Sequence, residues 1–161
     1  MDLFEEYLQK QETSSWVKRA LTDRSYKPQV KSELKDKDVN TELATYGDAV
    51  IKLCYLELML DKESQLTIEK AEVESDEYLV NVIARHYNML DYIHTDTDDK
   101  NIKRDYDFIK PKKTAGGNRK NSPHKYIATA VEAMIGAIYK ETKDLGPIIE
   151  LLDSWRNFEN A

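Results

Sequence analysis

Two acids stand out because they sit where charge is expensive. Asp48 follows Tyr46-Gly47 inside a run carrying Leu43, Val50, Ile51 and Leu53, and Glu132 is flanked by Ala130, Val131, Ala133, Met134 and Ile135. A carboxylate taken out of water costs several kcal/mol, on the order given for buried ions, unless it is paired or binds a metal. Two such acids on two apolar helices suggest one shared site. Carboxylates facing one another across helices are how proteins hold Mg²⁺, and a metal so held can activate water against a phosphodiester. Pairing with buried structural partners is the plain alternative. The single cysteine, Cys54, lies in the same apolar run and reads as a small buried hydrophobe; no disulfide framework or zinc cluster can be built from it.

The elements that must carry these acids are helical. Gly and Pro are scarce, and apolar residues recur at three- and four-residue spacing, so the expected fold class is all-α and the 161 residues one domain, 1–161. Leu3, Phe4, Tyr7 and Leu8 form a first stripe, and a second helix is expected after Ser14-Ser15. Past a lysine-rich loop interrupted by Pro28, Asn40 or Thr41 caps a helix over 41 to 60, whose apolar residues on nearly every side predict burial in the middle of the domain. A helical pair is expected over Thr67 to Glu74 and Ser75 to Tyr87, with Ser75 as cap. The last two helices run from His124 to Tyr139 and from Gly146-Pro147 onward, with Pro at the first helical position. Between Tyr87 and His124, Asp96, Asp98, Asp99, Asp105 and Asp107 give way to a basic run, a contrast that predicts a solvated, mobile loop.

The acidic amino terminus, Met1-Asp2-Leu3-Phe4-Glu5-Glu6, is unlike a signal peptide, and no apolar stretch is long enough to span a membrane, so a cytoplasmic protein without a membrane partner is expected. The formal net charge of -6 argues against nucleic-acid binding by the whole surface and confines any such face to a local patch. The run from Lys110 to Lys125, with Lys112, Lys113, Arg119 and Lys120 between, holds six cations and no acid; it suits phosphate contacts, or is merely a solvated loop.

Four segments in order now carry a resemblance. Asn40-Thr41-Glu42-Leu43-Ala44-Thr45-Tyr46-Gly47-Asp48-Ala49-Val50 is similar to the signature helix of the ribonuclease III family, Asn-Glu-x-Leu-Glu-Phe-Leu-Gly-Asp-Ala/Ser-hydrophobic. Ala20-Leu21-Thr22-Asp23-Arg24-Ser25-Tyr26 resembles its Ala-Leu-Thr-His-x-Ser-Tyr. Leu66-Thr67, Lys70-Ala71, Ser75-Asp76-Glu77 and Leu79 match its Leu-Ser/Thr, Arg-Ala and Ser-Asn-Glu-x-Leu. Ile127 through Tyr139 is similar to its Leu-Ala-Asp-x-Phe/Val-Glu-Ala-hydrophobic-Ile-Gly-Ala-hydrophobic-Tyr. The resemblance spans about 15–158. It implies a compact helical endonuclease domain, a two-fold homodimer pairing signature helices, double-stranded or structured RNA rather than DNA as substrate, and Mg²⁺ or Mn²⁺ as cofactor. The family's added double-stranded-RNA-binding domain is not expected here, since the chain ends near Trp155.

The resemblance also implies where this chain departs from the family. Of four metal-ligand positions, the second and fourth are kept as Asp48 and Glu132, the expected catalytic and metal residues. The first falls on Ala44 and the third on Thr129, while a further signature-helix Glu falls on Thr41. A methyl cannot ligate, and a neutral hydroxyl is a poor substitute for a carboxylate on a hard ion, so weakened metal affinity and impaired hydrolysis are expected. Glu63 lies where the family carries an accessory acid; Glu42, Glu72 and Glu74 are further acids nearby, Glu42 being one residue off the required face. Metal-dependent cleavage of structured RNA is therefore weighed against a catalytically silent homodimer binding RNA or a ribonucleoprotein, and against a helical interaction module.

Overall fold

The computed structural model describes residues 1–26, 34–61, 75–96, 102–112, 115–117 and 121–158. Its helices are α1 (Leu3–Leu8), α2 (Ser15–Ala20), α3 (Thr41–Asp61), α4 (Asp76–Tyr78), α5 (Lys125–Thr142) and α6 (Leu145–Trp155), with short 3₁₀ turns at Asp36–Asp38 and Met89–Asp91. The described residues contain no strand; one isolated bridge pairs Thr22 with His94. The fold is all-α, as its periodicity predicts. The expected helix over Thr67 to Glu74 lies outside the described residues.

Local chemistry sets most helix starts. Asp2 caps α1 by accepting from the Glu5 N–H, Ser14 caps α2 from Val17, and Ser75 caps α4 from Tyr78. α4 passes directly into a π-helical stretch, Leu79–Ala84, which keeps Leu79, Val80, Val82, Ile83 and Ala84 buried. Two expectations fail at helix starts. Asn40 does not cap α3 with its side chain: its Nδ2 donates to the Ala20 carbonyl at 3.0 Å, and only its backbone carbonyl takes the Ala44 N–H. α6 starts at Leu145 rather than at Pro147, because Asp144 accepts from the Gly146 N–H and so provides the cap.

The helix at the centre is α5, not α3. Ile127, Ala128, Ala130, Val131, Ala133, Met134, Ile135, Ala137 and Ile138 are all fully buried, with α2, α3, α6 and the π-helical stretch packed around them. α3 buries Leu43, Val50, Ile51, Cys54, Tyr55 and Leu58 but exposes Leu53, Leu56 and Leu60. Those three continue Thr45 and Ala49 along one face, a stripe with no apolar partner among the described residues of a single chain. At the opposite end of the core, Phe4 stacks on Tyr87 with ring centroids 4.4 Å apart, and Trp155 donates its indole N–H to the Tyr87 hydroxyl at 2.8 Å. That hydroxyl donates in turn to Asp2 at 2.5 Å, joining the first helix to the last.

The segment expected to be a mobile loop is pinned where it is described. His124, 1% exposed, contacts Asp105 through Nε2 at 2.5 Å and accepts the Ile109 N–H at Nδ1. Since Nδ1 accepts, Nε2 carries the proton and donates to Asp105. Arg85 grips Asp107 at 2.9 Å, and the Phe108 N–H donates to the Asn81 side chain.

Candidate active site

The two acids meet because α3 and α5 cross with backbone against backbone. A Cβ added at Gly47 would stand 1.7 Å from the Glu132 carbonyl oxygen, and one at Gly136 would stand 2.7 Å from that of Leu43. No side chain fits between the helices at that level, so residues a turn away from the crossing face one another at short range. Ala44 and Asp48 stand one turn apart on α3. Lys125, Thr129 and Glu132 mark successive turns of α5. Asp76, the first residue of α4, closes the group.

Glu132 is the most perturbed member. Burial, above all, pushes its carboxyl up from 4.5 to about 8; the Lys125 ammonium opposes this, while a hydrogen bond to Asp48 and the charges of Asp48 and Asp76 add to it. At neutral pH Glu132 therefore holds a proton, which it donates to the Asp48 carboxylate. Asp48 is less buried than its apolar neighbours suggest: its side chain is 35% exposed and meets Lys52, one turn on, at 2.8 Å. Asp76 takes the Lys125 ammonium at 2.8 Å.

The substituted positions are equally informative. Ala44 is buried and presents a methyl. Thr129 donates its hydroxyl to the Lys125 carbonyl at 2.9 Å, the ordinary back-bond of a helical threonine. Thr41 is exposed, and its carbonyl receives the Thr45 hydroxyl at 3.4 Å. Thr41, Lys125 and Thr129 share the wall of a cavity of about 380 Å³ with Asp23, Arg24 and Asn40. A larger hollow of about 840 Å³, walled by Trp16, Lys18, Arg19 and Lys37, contains none of the cluster residues. Among the described residues no group of three or more His, Cys, Asp or Glu is arranged to hold a metal ion. A hard divalent ion asks for several charged oxygens. A methyl, a tied hydroxyl and two acids already paired with lysines do not offer them.

The sequence singles out Asp48 and Glu132, which the structure brings together, but not the Asp76–Lys125 pair beside them. Lys125 precedes Glu132 by seven residues, two helical turns on one face, and that spacing was the available signal. Its ammonium meets Asp76, and its side chain stays 44% exposed. Lys110 is exposed and approaches Glu77 at 3.4 Å, and Lys112 is exposed. Lys113, Arg119 and Lys120, together with Glu63, Glu72 and Glu74, lie outside the described residues. Glu42 points away from the cluster and approaches Arg19 at 3.5 Å. No described helix is long and apolar enough to cross a membrane.

Comparison with known proteins agrees with the helical fold. The sequence profile of the ribonuclease III domain matches residues 41–143. Among solved structures, the chain is similar to the nuclease domain of ribonuclease III from Campylobacter jejuni in a crystal structure: 25% identity, TM-score 0.57, covering 94% of this chain and 87% of that one. A second structure of that domain, described for flexibility in the region involved in dimer formation, gives 24% identity and TM-score 0.58 over 94% and 90% of the two chains. A search of curated proteins returned no match. The profile spans most of the chain and includes both helices that bring Asp48 to Glu132, and the chain belongs to the ribonuclease III domain family.

Proposed function

We propose that this chain acts in the processing of double-stranded or structured RNA, as a single-domain, homodimeric ribonuclease III domain whose metal-dependent hydrolysis is impaired. The observation that carries the reading is the half-kept acid set on an intact frame: Asp48 and Glu132 meet across the Gly47–Gly136 crossing, while Ala44 and Thr129 supply no charge. Asp48 and Glu132 are the residues that would ligate Mg²⁺ or Mn²⁺, and weak affinity is expected of them. The stripe of Leu53, Leu56 and Leu60 on α3 supports the homodimer, since a two-fold axis would set each stripe against its copy and bury both. Exposed Lys110 and Lys112 remain for phosphate contact, with Lys113, Arg119 and Lys120 as further candidates.

A second reading, a silent homodimer that binds RNA or a ribonucleoprotein without cutting, is favoured by one specific feature: both aspartates of the cluster are already paired with lysines. The experiment that separates the two uses end-labelled duplex RNA in Mg²⁺ and in Mn²⁺, with the unaltered chain beside Ala44→Glu/Thr129→Asp. Cleavage by the unaltered chain, lost in Asp48→Asn, supports weakened hydrolysis. Cleavage by the restored variant alone supports the silent domain. Absence of duplex binding at low salt by either protein refutes an RNA function.

A further inference from the structure

The cluster at the α3–α5 crossing contains its own cation. Lys125 stands two turns before Glu132 on the same face of α5, with Thr129 between them. Its ammonium lies 2.8 Å from Asp76 on a separate helix, so the lysine ties α5 to α4 across the mouth of the site. On the other side Lys52 lies 2.8 Å from Asp48. The Lys125 and Asp76 side chains are 44% and 32% exposed, while the Lys52–Asp48 pair is more open at 53% and 35%. A lysine in the place of Lys125 holds Asp76 directly and sets its positive charge beside Glu132, where a metal would stand in a carboxylate centre, but it offers no open position for water or phosphate oxygen. The donor set agrees, because no group of three or more candidate ligands among the described residues is arranged around an ion.

We propose that the Lys125 ammonium is the resident cation of this carboxylate cluster and excludes a divalent ion from it. The inference rests on the RNA-processing reading only for naming the cluster as the family's hydrolytic centre. Failure of that reading would show in duplex RNA binding, which the following comparison does not use.

The test is calorimetric titration of Mn²⁺ into the full chain and into Lys125→Met and Lys125→Arg. Methionine keeps the unbranched shape of the side chain, one atom shorter, and removes its charge, whereas arginine keeps the charge. The unaltered chain and Lys125→Arg are expected to bind Mn²⁺ equally weakly, and Lys125→Met at least about tenfold more tightly, within the range by which neighbouring groups tune metal sites. A folded Lys125→Met that binds no more tightly than the unaltered chain overturns the proposal. A measurement on the unaltered chain covers the case of a variant that does not fold. The ¹⁵N signal of the Lys125 ammonium is expected to stay unmoved by millimolar Mg²⁺, and its displacement would overturn the proposal as well.

Discussion

Replacing Glu132 by Gln should stabilise the protein, and the gain should grow with pH. In the unfolded chain a glutamate ionises near its ordinary 4.5, while in the folded chain burial and the neighbouring aspartates hold Glu132 protonated up to about 8. Between those values the folded state carries the extra proton, so stability is complete below about 4.5 and is lost as pH rises through 8. The full slope is about 1.4 kcal/mol per pH unit. Since Glu132 is not wholly buried and its surroundings relax, the expected loss is discounted to about 2–3 kcal/mol. Gln keeps the shape and can still donate to Asp48 without ever ionising. Thermal unfolding in chelator, at pH 5 and pH 8.5, should therefore show the variant's advantage widening by about 2–3 kcal/mol, or about 5–10 °C for a chain of this size. A constant advantage, or one that narrows with rising pH, would refute the assignment of the proton to this pair.

Gly47→Ala should cost more than about 4 kcal/mol or abolish folding, because its Cβ would stand 1.7 Å from a backbone oxygen, whereas Gly116→Ala, with nothing within 4 Å, should be neutral within about 0.5 kcal/mol; urea titration reads both. His124→Ala should cost about 2–4 kcal/mol by leaving a buried gap and freeing Asp105 and the Ile109 N–H. Limited trypsin digestion should then cut at Lys103 or Arg104 faster than in the unaltered protein. The unaltered chain is expected to sediment as a dimer and Leu53→Asp/Leu56→Asp as a monomer with unchanged helicity; a dimer surviving both charges would refute the α3 interface.

The parts legible in the sequence were those governed by local chemistry. Ser14 and Ser75 cap the helices they precede, the period of α5 marks its burial, and the isolation of Asp48 and Glu132 among apolar neighbours points to their meeting. What escaped depends on distant partners. The all-round apolar character of α3 looked like a domain centre because sequence pattern does not distinguish residues packed in the core from residues such as Leu53, Leu56 and Leu60 that face outward. The 102–112 segment looked like a free loop because its anchors, His124 and Asn81, lie 15 to 27 residues away. Lys125 read as one more cation in a basic run, since its partner Asp76 is 49 residues upstream.

The contact between Gly47 and Gly136 has a consequence for how such a protein can change over time. The approach of α3 to α5 is set by main chain against main chain, so the frame that brings the carboxyls together rests on these two glycines. Chemistry at the site can then change along a lineage while the architecture persists. The glycines, which touch no ligand, are the residues such a lineage could not afford to lose.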